Sequence, residues 1–133
     1  MMRVVKVKDY KEIPNNYTGI VKYFDRSKYW YLNGSLHRED GPAVKWANGE
    51  KHWYLNGKQH REDGPAIEYV YGEKAWFLNG EFLFWLSRES QPFVLLEEFV
   101  GKDGKGQIKV LTQRGIETWP NLPGLKELAD NWE

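Results

Sequence analysis

Short runs of aromatic and β-branched residues alternate with polar turns along most of the chain, and two of these stretches are nearly the same. Residues 28–50 placed over residues 51–73 give 15 identities in 23 positions without a gap, and a third copy begins at Lys74. Repetition at a fixed period is typical of architectures in which similar units stack on one another. The 23-residue period is therefore the first guide to the fold.

Each unit is predicted to be a β-hairpin followed by a connector. Asn48-Gly49 separates two short apolar runs and predicts a two-residue type I′ turn, because both residues tolerate positive φ. That turn places Val44 opposite Trp53 and Ala47 opposite residue 50. Side chains alternate along a strand, so one face of the hairpin, which should form the core, carries Val44, Trp46, Trp53 and Leu55.

Stacked hairpins form a continuous sheet, whereas a single hairpin is marginal in water. We therefore predict a mainly β protein, an antiparallel β-meander of stacked hairpin repeats from about Gly19 to about Trp85. The expected organisation is a lead-in strand at 1–17, repeats at 18–86 and a C-terminal capping segment at 87–133.

The capping segment is expected to be a small β/α unit that covers the open end of the repeat sheet. Its strands flank the glycine-rich loop at 101–106, which lacks the spacing of a phosphate-binding loop. A short helix should begin after Pro123, with an apolar stripe at Leu125, Leu128 and Trp132.

The tetrapeptide His-Arg-Glu-Asp occurs at 37–40 and again at 60–63, and its residue types are those of catalytic sites. A base or metal ligand at His60 would need Glu62 or Asp63 to converge on it, but consecutive residues of an extended strand point to alternate faces. The recurrence in identical context also favours a structural role. We assign no catalytic residue, no metal and no other cofactor, and an enzyme built on the terminal segment is the least favoured alternative.

The structural role can be stated for the second copy and applies equally to the first. His60 should lie opposite Trp53 and pack on its indole while it hydrogen-bonds the connector. Arg61 should bridge to an acid or lie on a ring of the adjacent repeat, and Asp63 should accept backbone N–H bonds in the turn. The residues assigned to hold the repeats together are Trp30, Trp53, Trp76, His37, His60, Asp40 and Asp63.

An aromatic row is expected on the opposite face, where Tyr29, Tyr31, Tyr54 and Phe77 alternate away from the tryptophans. If that face is open, it is suited to binding a protein; alternatively, the terminal segment covers it. Rigid aromatic residues and arginine are the usual anchors of interfaces. The residues expected to bind a partner are Tyr31, Tyr54, Phe77, Arg38 and Arg61.

The composition narrows the classes of partner. The chain has 133 residues, enough for one domain, and its 19 basic and 19 acidic residues leave no net field to attract nucleic acid or membrane, although local patches of charge are compatible with this balance. Cysteine is absent, and no apolar run is long enough for a signal peptide or a membrane span. We expect a soluble cytoplasmic protein, a monomer or small homo-oligomer, that binds neither nucleic acid nor membrane.

The order Trp53, Gly57, Lys58 and His60, followed by glycine-containing turns within a 23-residue period, resembles the MORN repeat and especially its bacterial and viral variant. The wording Leu-Asn-Gly…His-Arg-Glu-Asp-Gly-Pro-Ala is similar to repeat arrays in bacteriophage and large-virus proteins. The resemblance covers about residues 18–82. Arginine replaces the family's usual glycine after the histidine.

The resemblance implies a non-enzymatic sheet used for contact with a protein partner. For a phage protein of this size it implies a module that binds and inhibits a host factor, such as a defence enzyme. The alternative is a carbohydrate-binding or choline-binding module, because Trp-Tyr-Leu-Asn is also similar to aromatic repeats in which rings enclose a quaternary ammonium.

Overall fold

The computed structural model describes residues 3–7, 13–87 and 93–130. The protein is mainly β, as predicted, with one short helix in the described part. The elements are β1 (Val4–Val7), β2 (Gly19–Tyr23), β3 (Lys28–Leu32), β4 (Ser35–Leu36), β5 (Val44–Lys45), β6 (Lys51–His52), β7 (Tyr54–Leu55), β8 (Lys58–Gln59), β9 (Ile67–Glu68), β10 (Lys74–Leu78), β11 (Glu81–Leu86), β12 (Val94–Val100), β13 (Gly106–Thr112), β14 (Gly115–Pro120) and α1 (Leu125–Asp130).

The repeats form a nine-stranded sheet in the order β1-β2-β3-β5-β6-β9-β10-β11, with β4 paired to β3. Every pair from β2 to β11 is antiparallel, which confirms the predicted meander. The first strand differs, because β1 runs parallel to β2 and makes the sheet mixed. A parallel neighbour needs a crossover connection, which the pattern of short turns inside the repeats does not reveal.

The type I′ turns lie at the Leu-Asn-Gly of each unit. In the second unit Leu55 pairs with Lys58, so the loop has two residues, and both Asn56 (φ 50°) and Gly57 (φ 80°) have positive φ. The same backbone occurs at residues 33–34 and 79–80. Both central residues of this turn type require positive φ, which Asn-Gly provides at little cost.

The prediction of a type I′ turn at Asn48-Gly49 is wrong. Only Gly49 has positive φ (97°), and Trp46 N–H donates to Glu50 O at 2.9 Å, which closes a loop of three residues. One left-handed residue is sufficient for a type I turn followed by a bulge.

The longer loop shifts the register of the hairpin by one residue. Val44 lies opposite His52 in place of Trp53. Because a shift of one residue exchanges the faces of a strand, Val44 and Trp53 lie on opposite faces of the sheet. The predicted core set is thereby divided: Val44 is buried, whereas Trp46 is 41% exposed beside the His52 ring.

The two faces of the sheet are named here by their aromatic residues. The tryptophan face carries Trp30, Trp53 and Trp76, and the tyrosine face carries Tyr29, Tyr31, Tyr54 and Phe77.

The N-terminal residues cover the first end of the tyrosine face. Tyr17 is buried and its hydroxyl donates to the carbonyl oxygen of Ile20 at 2.9 Å. It packs in a cluster with Val7 and Val21, and the ring of Tyr31 contacts it edge-on. The lead-in segment is therefore part of the core.

The C-terminal unit covers the tryptophan face at the other end. Strands β12, β13 and β14 form a separate antiparallel sheet, and α1 begins at Leu125, as predicted from Pro123. Its apolar stripe is seen in the burial of Leu125 and the packing of Leu128, while Trp132 lies outside the described residues. The shared core cluster consists of Trp76, Leu86, Phe93, Ile108, Val110, Trp119 and Leu125.

The helix α1 has six residues. Among the described residues, none of the helical structure is long and apolar enough to cross a membrane.

Candidate functional site

The repeated histidines link consecutive units through the backbone. His60 N–H donates to Trp53 O at 3.0 Å, so the histidine lies opposite the tryptophan, as expected. Its Nδ1 atom accepts the N–H of Asn79, in the next unit's type I′ turn, at 2.9 Å. His37 makes the same bond to the N–H of Asn56 at 2.9 Å. Each imidazole thus completes the turn of the following unit.

Replacing His60 by alanine is expected to lower the free energy of unfolding by about 2 kcal/mol, because the Asn79 N–H loses its acceptor in a partly buried place. Urea denaturation measures the change. Glu62→Ala is the matched control, since that carboxylate lies 3.4 Å from His60 Nε2 but is 84% exposed. We expect it to cost less than about 0.5 kcal/mol. An unchanged melting temperature for His60→Ala, together with lost partner binding, would transfer the residue from the scaffold to the binding surface.

The repeated arginines cover the tryptophans of their own units. The Arg61 guanidinium lies 4.0 Å from the centre of the Trp53 ring, and Arg38 lies 4.1 Å from that of Trp30. They bridge to acids, which is one of the two arrangements expected, but the ring that each covers belongs to its own unit, because the connector folds back over the strand that precedes it. Each arginine side chain is only about one-fifth exposed, which leaves little of it accessible for the predicted contact with a partner.

Each arginine is also held by hydrogen bonds. Arg61 donates from Nε to Asp63 at 2.9 Å and from Nη1 to the Pro65 carbonyl at 3.1 Å and to Glu68 at 2.9 Å. A guanidinium that is stacked and bonded in this way is fixed in one orientation. Its planar group closes the tryptophan face over the indole.

The repeated aspartates bind the arginines of their own connectors. Asp40 accepts from Arg38 Nε at 2.9 Å, and Asp63 accepts in the same way from Arg61. The hydrogen bond and the charge of Arg38 lower the pKa of Asp40 below its usual value. The aspartate reaches the guanidinium because only Glu39 separates the two residues and the connector bends between them.

A cleft of about 620 Å³ lies between the two connectors. Trp53, Leu55 and Arg61 line it, and the carboxylates of Glu39 and Glu62, each more than four-fifths exposed, stand beside it. The indole face that would receive a bound cation already carries Arg61.

Glu50 and His52 form a further ionisable pair on the tyrosine face, which was not predicted from the sequence. His52 Nε2 is 2.7 Å from Glu50 Oε2, and His52 Nδ1 is 3.1 Å from the Gln59 amide. Spacing of two along a strand was the available signal, since it places both residues on one face. Within the described ranges, no three histidine, aspartate or glutamate side chains are grouped so that they could hold a metal ion.

The predicted aromatic row is half-buried. Tyr29 and Tyr31 stack at 6.5 Å, Tyr54 stacks on His52 at 6.3 Å, and Phe77 contacts another phenylalanine of the same hairpin. Burial raises the pKa of Tyr31 and of Tyr54. The N-terminal residues cover the Tyr31 end of this face, while the C-terminal unit packs at Trp76 on the other face.

Large apolar residues are exposed at three equivalent turns of the repeats, spanning residues 23–27, 46–50 and 69–73. In each turn the fourth residue has positive φ and donates its N–H to the carbonyl of the first. We call the apolar side chains at these turns the tip surface, which consists of Phe24 (67% exposed), Trp46 (41%), Val70 (44%) and Tyr71 (70%).

Sequence reasoning missed the tip surface because it assigned Trp46 to the core. The signal was present in the aligned copies, where Tyr71 stands at a turn position that Asn48 and Asp25 occupy in the other units. A large apolar residue at a position that otherwise suits a polar turn residue indicates exposure.

Comparison with protein-family models, with curated proteins and with solved structures gave no match to this chain.

Proposed function

We propose that this chain is a non-enzymatic protein-binding repeat module and that the tip surface makes the contact. The observation that carries the proposal is the exposure of four large apolar side chains on three successive turns of the same design. Isolated exposed apolar residues are common, but a contiguous group of them marks an interaction site.

The three turns lie side by side at one end of the repeat sheet, because they join β2 to β3, β5 to β6 and β9 to β10. Ala47 N–H in the second turn donates to Ser27 Oγ in the first at 3.1 Å. Successive hairpins of a sheet lie about 10 Å apart, since neighbouring strands are about 4.8 Å apart. Trp46 and Tyr71 are the expected anchors, because aromatic residues contribute large contact areas and lose little entropy. The half-buried Tyr54 and Phe77 would extend this contact along the tyrosine face.

The partner we propose is a bacterial host protein. The resemblance to phage-type and MORN-type repeats supports a phage-encoded inhibitor, and a host defence protein is the target that such an inhibitor would bind. The small size of the chain and its rigid sheet are suited to blocking a surface on another protein.

The choline-type alternative has less support. Enclosure of a quaternary ammonium requires open aromatic faces. Trp30 and Trp53 each carry the guanidinium of their own unit on the ring, and Trp76 is buried by the C-terminal unit.

Photo-crosslinking tests the proposed contact. A photoreactive phenylalanine analogue placed at Tyr71 should crosslink to one defined protein of a bacterial lysate, which mass spectrometry identifies and excess wild-type chain displaces. The matched control carries the analogue at Val100, which is equally exposed at 70% on the C-terminal sheet. We expect no specific adduct from Val100 and a loss of the Tyr71 adduct when Trp46 is replaced by alanine. Equal adducts from both positions, or an adduct formed only with a second copy of this chain, would contradict the proposal.

A further inference from the structure

Four lysines lie side by side across the tryptophan face. The strand register pairs Lys22 with Lys28, Lys28 with Lys45, and Lys45 with Lys51. Directly paired residues of antiparallel strands share a face, so the four ammonium groups follow one line across β2, β3, β5 and β6. We call these four residues the lysine row. The pairs Lys22–Lys28 and Lys45–Lys51 each flank one turn of the tip surface.

The lysine row has no neutralising partner in the described part of the chain. None of its four members forms an ion pair there, although the connectors nearby are rich in carboxylates. The acid that continues the row is Glu68, paired with Lys51, and it is bound by Arg61 at 2.9 Å. Lys28 and Lys45, the two central members of the row, are exposed to solvent.

Like charges that face one another across neighbouring strands destabilise a sheet. Strands are about 4.8 Å apart, so the lysine row repeats this unfavourable pairing three times in succession. Folding alone gives no reason for that arrangement. A sheet that retains a destabilising row of charge is expected to gain from it when a ligand binds.

The borders of the row limit what fits on it. On one side stand the connector carboxylates of Glu39, Asp40, Glu62 and Asp63, all more than four-fifths exposed. The second connector lies close to the lysine row, because the Arg61 guanidinium contacts both Asp63 in the connector and Glu68, which pairs with Lys51. On the other side lies the tip surface. The positive stripe is thus one residue wide, between an acidic border and an apolar one.

We infer that the lysine row binds an acidic segment of the protein partner whose apolar residues contact the tip surface. This inference rests on the proposed function and adds the chemistry of the partner. A nucleic acid suits the site less well, because its closely spaced phosphates would face the connector carboxylates as well as the lysines. An extended acidic peptide places its charges along the stripe and its apolar side chains on the tips.

The test uses the full chain and a fluorescein-labelled peptide of alternating glutamate and apolar residues, with binding followed by fluorescence anisotropy. The row variant is Lys28→Gln/Lys45→Gln/Lys51→Gln. The matched control is Lys58→Gln/Lys102→Gln/Lys105→Gln, which removes the same number of charges from exposed lysines outside the row. A peptide with glutamine in place of glutamate serves as the neutral probe, and a single-stranded oligonucleotide is the competing polyanion.

We expect the row variant to bind the acidic peptide about tenfold more weakly than wild type, and the control variant to change binding less than about twofold. The row variant should also melt a few degrees higher without peptide, because like-charge repulsion is relieved. That rise shows that weaker binding does not come from unfolding. Added salt should weaken the binding of wild type to the acidic peptide.

Three results would overturn the inference: equal loss of binding in both variants, equal binding of the neutral peptide, or tighter row-dependent binding of the oligonucleotide. The crosslinking experiment separates this failure from failure of the proposed function. If Tyr71 crosslinks to the same protein with equal yield in wild type and in the row variant, the module binds its partner, but the inference that the lysine row binds an acidic segment is wrong. If no specific adduct forms even with wild type, the proposed function itself fails.

Discussion

Replacing Trp76 by alanine is expected to lower the free energy of unfolding by about 4 kcal/mol. The side chain is 1% exposed at the centre of the cluster that joins the repeat sheet to the C-terminal unit. Its Nε1 atom donates to the carbonyl oxygen of Pro123 at 2.6 Å, just before the helix. Removal of a buried tryptophan leaves a cavity and an unpaired carbonyl. Losses of about 3–5 kcal/mol are typical of such changes.

Two other variants separate the contributions to this effect. Trp46→Ala removes the same side chain from an exposed turn and should cost about 1 kcal/mol or less. Trp76→Phe keeps most of the apolar contact but loses the bond to Pro123, and we expect an intermediate loss of about 1–2 kcal/mol. Urea denaturation monitored by fluorescence measures all three. Equal effects of Trp76→Ala and Trp46→Ala would mean that the C-terminal unit is not packed on the repeats.

The second large effect is expected for Gly34→Ala, at about 3 kcal/mol. Gly34 has φ +85° and donates its N–H to the carbonyl oxygen of Tyr17 at 2.8 Å. A Cβ atom at this position would collide with the carbonyl oxygen of Asn15, because the N-terminal segment passes directly over the turn. The backbone conformation alone costs an alanine about 1–2 kcal/mol, and the collision adds to it.

The repeats provide a matched control for that substitution. Gly57 occupies the same place in the second unit with φ +80°, but the nearest atom to its added Cβ would be Ser35 Cβ at 3.6 Å, an ordinary contact. Gly57→Ala should therefore show the conformational cost alone, about 1 kcal/mol. Differential scanning calorimetry of both variants gives the difference. Equal losses would show that residues 15–17 do not pack on the first turn.

The turn geometry shows how far the sequence determines the fold. The stacked hairpins follow from the period, but Asn-Gly at two places in one unit gives two different turns. Locally the pairs Asn33-Gly34 and Asn48-Gly49 are the same. Only the aligned copies distinguish them: residue 71, opposite Asn48 in the alignment, is a tyrosine, which adopts positive φ poorly.

The next position of the alignment has the same backbone conformation in all three copies. Gly49 and Gly72 have positive φ, and Arg26 takes that backbone (φ 79°) in the first turn. One left-handed residue per turn is therefore common to all three copies. Tyr71 in the aligned third turn argues against a type I′ turn, whereas the Asn48-Gly49 dipeptide alone gave a register that is wrong by one residue.

The packing of the C-terminal unit could not be predicted from local patterns, because it depends on contacts between distant parts of the chain. Its place on the sheet is nevertheless explained by the third copy. Arg38 and Arg61 cover the tryptophans of the first two units, and the third unit lacks the tetrapeptide that supplies such an arginine. Trp76 is therefore uncovered by its own unit, and Phe84 and the C-terminal cluster pack on it instead.

The predicted partner-binding arginines show what residue types alone do not determine. Arginine and aromatic residues in a repeat suit an interface and also suit an internal stack, and their residue types do not distinguish the two. The distinction depends on the three-dimensional path of the connector, which brings each guanidinium back over Trp30 or Trp53. The lysines that flank the turns lie outside these two stacks, and Lys28 and Lys45 among them are exposed.

The bond from each histidine to the following turn has an evolutionary consequence. Among the described residues, the hydrogen bonds that residues 51–73 make to other units go to the units on either side, and these residues add β6 and β9 to the sheet. A tandem copy of them would therefore lengthen the sheet by about 10 Å without a new kind of junction. Unequal recombination within the gene can thus change the number of units while the lead-in segment and the C-terminal unit stay unchanged. The length of the repeat sheet can therefore change during evolution in steps of one unit.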